Sequence, residues 1–211
     1  NEDIAPKQRT QFSGSINMAG KALLRIINDI LDLSKIESAK LELHLVPTHL
    51  DSLLAEIREI FSLNASQKKI DFQVELPSTA LTLMLDDIRL RQVLFNIVGN
   101  AVKFTNAGFV KVSCQIFPAC AGTCSVRIAV SDTGMGISEE FQKHIFEPFS
   151  QQFTRGTRAY QGTGLGMSIA KRLIEQMGGQ LSLKSRFGEG STFTISIPSV
   201  RMVLGAEADR G

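Results

Sequence analysis

The sequence has no tryptophan, a single tyrosine and three cysteines, and its 211 residues carry a formal charge of only +2. The thiols, Cys114, Cys120 and Cys124, are odd in number, which excludes a fully paired disulfide framework. Their spacing relative to His44, His49 and His144 matches no zinc-ligand pattern, so reduced thiols in a cytoplasmic setting are expected. Charge this close to balance gives no general attraction to nucleic acid or to a membrane surface. No run of about 18 apolar residues occurs, and the first residues lack a signal-peptide pattern, so no direct membrane contact is expected of this chain. That expectation leaves open whether a longer parent is anchored in the inner membrane. What is present is ordinary for a globular fold: 43% apolar residues, enough for one core domain with an appendage.

The stretch 91–105, RQVLFNIVGNAVKFT, organises the chain. Leu94, Ile97, Val98, Ala101 and Val102 recur three and four apart and make an apolar stripe on one side of a helix. Asn96 and Asn100, with Lys103 three further on, project from another side. Amide oxygens suit Mg²⁺ and an ammonium suits phosphate, so the trio fits a metal-complexed nucleoside triphosphate. A solvated outer face is the alternative.

Upstream, Phe12, Ile16, Ala19, Leu23, Ile26, Ile30 and Leu33 form a heptad seam widened by Leu24, Ile27 and Leu31. No second long heptad helix occurs, so the seam is expected to be covered by another segment or another chain. Alternation at 41–46 predicts a short strand, and 52–65 a helix with Asp51 as N-cap. Strands are predicted at 70–76 and 81–85, followed by Asp86 or Asp87 as cap of the asparagine helix. A hairpin is predicted from Val110, Val112 and Cys114 against Val126, Ile128 and Val130, then a helix at 138–146 capped by Ser138. Residues 150–162 lack periodicity and predict a loop over a ligand. A helix at 165–177 ending at Gly178, and strands at 181–183 and 192–197 about a turn at 188–190, complete the pattern. The tail from Ser199 is expected to be a linker.

Two glycine-bearing loops stand out. Asp132 ends a strand ahead of Gly134 and Gly136, where the backbone can approach a ligand and a carboxylate can accept a purine amine; a simple turn-forming role is the alternative. Gly162, Thr163, Gly164, Leu165 and Gly166 open a helix, leaving free amides at its positive end for phosphate. A dinucleotide fold is disfavoured because a polar loop, not a strand, precedes these glycines.

The strings NIVGNAVKFT (96–105), DTGMGI (132–137), FEPF (146–149), GTGLGM (162–167) and GEGSTF (188–193) occur in the order of the N, G1, F, G2 and G3 boxes and resemble the ATP-binding domain of sensor histidine kinases. LLRIINDILDLSKIESAKLEL (23–43) resembles the second helix of their dimerisation and phosphotransfer region, in the manner of hybrid kinases. The resemblance implies an α+β fold, a two-layer α/β sandwich of the Bergerat type whose mixed sheet carries helices on one face, preceded by a long amphipathic bundle helix. It implies a partial dimerisation region at 1–46, a catalytic domain at 47–198 and a linker at 199–211.

Carried over by residue, it places Asn100 and Asn96 at Mg²⁺, Lys103 at phosphate, Phe104 against adenine and Asp132 at its amine. Gly134, Gly136, Ile137, Phe149, Arg158, Gly162, Thr163, Gly164, Leu165, Gly166 and Thr192 are implied around ATP, with 150–161 as its lid. Homodimerisation through the bundle helix and a response-regulator receiver domain are the implied partners. One departure stands out: the family's phosphoacceptor box, a histidine followed by acidic, basic and proline residues, is missing. The chain thus reads as a fragment that binds ATP without phosphorylating itself. The competing expectation is a silent nucleotide-binding module that dimerises with kinases. A DNA-topology or chaperone ATPase fits less well, since such enzymes place a glutamate where Asn96 stands.

Overall fold

The computed structural model describes residues 41–79, 81–119, 122–151 and 163–203, together with separate positions between 12 and 34. The chain divides into two compact units, Asn1–Leu41 and Glu42–Gly211. Every described position from 12 to 34 is helical, as the heptad predicts. Along it Phe12, Ile16, Leu23, Leu24, Ile27, Ile30 and Leu31 are exposed, whereas Leu33 is buried. Among the described residues no helix is long and apolar enough to cross a membrane.

The second unit runs β1 (Val46–His49), α1 (Leu50–Gln67), β2 (Asp71–Glu75), β3 (Thr82–Leu85), α2 (Asp87–Phe104), β4 (Phe109–Pro118), β5 (Thr123–Asp132), α3 (Glu139–Gln142), α4 (Gly166–Gln176), β6 (Gln180–Arg186) and β7 (Gly190–Arg201). Five strands form one sheet in the order β2-β4-β5-β7-β6, and β1 pairs with β3 in a separate ribbon. Only β2 and β4 run parallel; the other neighbours are antiparallel. Val110, Val112, Val126, Ile128, Val130, Phe193 and Ile195 alternate inward and are buried under α1, α2 and α4. The mixed sheet with helices on one face is the expected two-layer sandwich.

Helix α2 is the centre of the helical layer. Asp86 caps it, its Oδ1 accepting from Arg89 N at 3.0 Å while Oδ2 accepts from His44 N at 3.0 Å. Its seven buried residues, Leu90 to Val102, outweigh the cap: a cap contributes about 1 kcal/mol, and burial on this scale roughly 10 kcal/mol as an upper bound. Packing, not capping, therefore holds α2 on the sheet.

Several boundaries depart from expectation. The strand expected at 41–46 lies at Val46–His49, because Val46 to His49 find β3 as a partner. Pro47 is accommodated because β1 is an edge strand. Helix α1 begins after His49, and Asp51 sits in its first turn, favourable at the positive helix end but not the cap. The helix expected at 138–146 shortens to Glu139–Gln142, although Ser138 Oγ accepts from Phe141 N as a cap should.

The expected linker from Ser199 is partly structure. Strand β7 pairs Val200 with Cys124 and Arg201 with Thr123, while Met202 N and Val203 N donate to Gly122 O and Thr82 O. An irregularity between Cys124 and Val126 shifts the register there and breaks the alternation that would have revealed the strand. Residues 204–211 lie outside the described residues.

Helix α1 ends in a turn that commonly takes glycine. Ile70 N donates to Ala65 O and Lys69 N to Ser66 O, both at 2.9 Å, and Lys69 holds φ at 59°. This is the paired-bond terminus with a left-handed residue, here filled by a lysine that bears a Cβ cost. Lys69→Gly should stabilise the apo protein by about 0.5–1 kcal/mol, a rise of roughly 1–4 °C in Tm by calorimetry. An unchanged or lower Tm would show that the strain is relieved elsewhere.

Candidate nucleotide site

Asp132 is the last residue of β5, in register with Val110 and Ser191. Two-residue alternation places it on the face of Val130 and Ile128, under the helices. Its Oδ1 accepts from Gly134 N at 2.8 Å. Burial pushes its carboxyl above the ordinary aspartate value, and the backbone N–H groups of Gly134 and Ser191 oppose that rise by favouring the charged form. The turn-forming role thus exists, and a half-buried carboxylate exists with it.

The loop after β5 is pressed against two other segments. A Cβ on Gly134 would stand 2.8 Å from Phe104 O, and Met135 N donates to that carbonyl at 3.4 Å. Gly136 holds φ at 65°, and a Cβ there would reach 2.0 Å from Arg186 O. Ile137 N donates to Ser185 Oγ at 2.9 Å, and Gln142 Nε2 bridges Ile137 O and Ser185 O. Loop, β6–β7 turn and the last turn of α2 are therefore one assembly.

Asn96, Asn100, Lys103 and Phe104 are half-buried on α2. Lys103 Nζ lies 4.9 Å from the centre of the Phe104 ring, a cation over an aromatic face. Asn96 Nδ2 donates to Gly166 O at 3.3 Å, and a Cβ on Gly166 would stand 3.1 Å from Asn96 Oδ1. The absence of a side chain at 166 lets α4 begin directly against α2. Leu165, the residue before α4, makes no side-chain cap hydrogen bond, and a helix start of that kind can take an anion on its first amides. Thr163 Oγ1 instead accepts from Leu165 N at 3.2 Å and shapes the approach. Gly164 holds φ at 73°, and a Cβ there would lie 2.6 Å from the Phe149 backbone. Phe149 itself is exposed, with φ at 64°.

The structure brings Asn96, Gly166 and α4 together on one side, and Phe104, Gly134, Gly136, Ile137 and Asp132 together on the other. It does not bring Thr192 with them. Thr192 Oγ1 bonds Ser131 Oγ at 3.0 Å on the open face of the sheet, opposite to Asp132. Ser191 takes the place expected of Thr192: it is buried, lies on the Asp132 side, and its Oγ meets Ser185 Oγ at 2.9 Å. Parity with the buried Phe193 was the signal that identifies it. Arg158 and Gly162, with the rest of 152–162, lie outside the described residues. Among the described residues no group of three His, Cys, Asp or Glu side chains forms a metal cluster. The donors present, amides beside a helix start, suit a cation held mostly by phosphate oxygens and water, which is the habit of Mg²⁺.

A half-buried acid at a strand end, glycine loops packed backbone to backbone and an uncapped helix start beside an amide define a nucleotide-binding α/β sandwich. The profile of the histidine kinase-, DNA gyrase B- and HSP90-like ATPases matches residues 85–201, and the chain belongs to that family. It is 39% identical to the sensor histidine kinase GacS of Pseudomonas protegens over 92% of this chain and 21% of GacS. To hybrid signal transduction histidine kinase B of Dictyostelium discoideum it is 38% identical, over 89% of this chain and 10% of the relative. The chain thus spans about a fifth or less of these two relatives. Full-length ShkA in complex with AMPPNP superposes with a TM-score of 0.79 at 33% identity, covering 97% of this chain and 41% of ShkA. The catalytic domain of histidine kinase ThkA gives 0.60 at 31%, covering 74% of this chain and 96% of that domain. The chain accordingly carries the ATP-binding catalytic domain of the sensor histidine kinases.

The raised Asp132 pKa yields opposite pH trends. A folded-state value above the unfolded one adds stability at low pH that is lost as pH rises through the folded value. Asp132→Asn removes this titration, so the Tm of the variant relative to wild type should climb as pH increases from 4 through the acidic range. Nucleotide affinity of the wild type should rise over the same window, because the adenine amine donates to a carboxylate. Parallel Tm curves for the two proteins would remove Asp132 from the buried site.

Proposed function

We propose that this chain transfers the γ-phosphate of magnesium-complexed ATP to a histidine presented on a helix that the chain itself does not supply. The observation that carries the reading is that both loops meet α2: the glycine loop after Asp132 packs on Phe104 O at its last turn, and the start of α4 is tied to Asn96. Asp132 accepts the adenine amine, Phe104 lies along the ring, and the amides of α4 with Lys103 take the phosphates. Asn100 holds the magnesium ion through its amide oxygen, with Asn96 beside it. Bound magnesium supplies neutralisation of phosphate charge as the transferred group moves. An amide at 96 cannot take a proton from water, so hydrolysis is slow and transfer to a nucleophilic imidazole is favoured.

The chain's own histidines support an external acceptor. His49 Nε2 lies 3.5 Å from Thr82 Oγ1 across the β1–β3 ribbon, and His144 Nδ1 lies 3.0 Å from Glu147 Oε1 one turn on. The exposed apolar residues between 12 and 31 support pairing of the N-terminal helix with a second copy. A response-regulator receiver domain is the onward acceptor, by likeness to ThkA, whose complex with the response regulator TrrA has been solved and which is 27% identical to this chain. The near-neutral charge supports a protein partner over nucleic acid or membrane.

Radiolabelled ATP, magnesium and a separately prepared helical hairpin bearing a histidine provide the test. Acid-labile, base-stable label should appear on the hairpin, and Asn100→Ala should weaken Mg·ATP binding at least about tenfold while leaving the apo Tm unchanged. Tight ATP binding with no label would identify a nucleotide-binding interaction module instead. Rapid ATP hydrolysis without the hairpin would overturn the reading.

A further inference from the structure

Helix α2 ends without a left-handed glycine. Its cap, Thr105, is extended at φ −91° and ψ 128°, so the final carbonyls cannot be satisfied by the usual reversing turn. All four nevertheless have donors. Thr105 N donates to Ala101 O at 3.0 Å, Lys68 Nζ to Val102 O at 2.8 Å and to Lys103 O at 2.7 Å, and Met135 N to Phe104 O at 3.4 Å. Lys68 Nζ donates as well to Thr105 O at 3.1 Å. An ammonium has three hydrogens, and here they meet three backbone carbonyls at one helix end.

Placement and charge both favour this contact. A cation at the negative end of the helix dipole is stabilised, and burial, which lowers the Lys68 pKa, makes the carbonyls its replacement for water. Lys68 is itself the cap residue of α1, fixed by the paired bonds of the turn that follows it. The contact therefore binds the ends of two helices whose residues are far apart in sequence. The clamped carbonyls belong to Val102 and Lys103, and the next one, Phe104 O, receives the loop that follows Asp132.

We propose that Lys68 is a positioning residue of the nucleotide site: by holding the last carbonyls of α2 it sets the direction of Lys103 and Phe104 and the seat of the loop at Gly134 and Met135. The inference rests on the ATP reading above. Without the ammonium, Val102 O and Lys103 O each lose a charged donor, and the turn relaxes.

Titration of the whole chain with Mg·ATP, thermal scans and amide hydrogen exchange test this on wild type, Lys68→Met, Lys68→Arg and the core control Val126→Ala. Lys68→Met should weaken ATP binding about tenfold and speed exchange at the Thr105 and Met135 amides, whose acceptors lie in the clamped turn. Lys68→Arg should restore most of both, since a guanidinium also donates to several carbonyls. Val126→Ala should lower Tm without altering affinity or those two amides. Lys68→Gln, neutral with two donors, replaces the methionine variant if that one does not fold. Wild-type affinity and unchanged exchange in the methionine or glutamine variant overturn the proposal. Failure of wild type to bind Mg·ATP, or equal binding by Asp132→Ala, overturns the nucleotide reading, and the exchange rates then judge the clamp separately.

Discussion

At the carboxyl end of β5, backbone has to touch backbone. A Cβ on Gly190 would come within 2.0 Å of Asp132 O, and one on Gly136 within 2.0 Å of Arg186 O. No rotamer relieves such contacts, because the atoms met are main chain. The convergence of the β5 loop, the β6–β7 turn and the end of α2 half-buries Asp132 and lets the N–H groups of Gly134 and Ser191 replace part of the water around its carboxylate. The same closeness links G1 and G3 loops through Ser185, whose hydroxyl meets Ile137 N, Gly190 O and Ser191 Oγ.

Charge in this fold is managed by main-chain dipoles more than by ion pairs. Lys111 with Glu75, Arg186 with Glu189 and Lys171 with Glu175 are surface pairs, each contributing about 0–1 kcal/mol. Two of them engage Lys171 and Arg186, which belong to the stretch 151–190 with its six Lys or Arg against two Glu. Arg91 joins α1 to α2 through Glu56 and also meets Asp87. Asp86, Asp132 and Lys68, in contrast, are each held by backbone groups.

Legibility followed periodicity. Helix α2, the β4–β5 hairpin and the α4 helix were readable because burial on one face repeats every 3.6 or 2 residues. Where local geometry broke the period, reading failed. The irregularity at Cys124 hid the last residues of β7. Thr192, implied by the resemblance, lies on the face opposite Asp132, because Ser191 pairs with Asp132 and one residue along a strand turns a side chain to the other face. Lys69 disguised a helix terminus because a lysine occupies the left-handed position. The partnership of Lys68 left no trace at all, since its acceptors are carbonyls and every residue has one.

The sequence by itself determined which elements form and which chemistry they carry, because amphipathic spacing, strand alternation and glycines at close approaches are local properties. Five ordered motifs were enough to identify the family, as the profile match over 85–201 bears out. Tertiary structure alone decided which side of the sheet each strand residue serves, what surrounds Asp132 and what ends α2. Those outcomes depend on register and on hydrogen bonds between residues tens of positions apart, and such contacts exist only once the layers have packed.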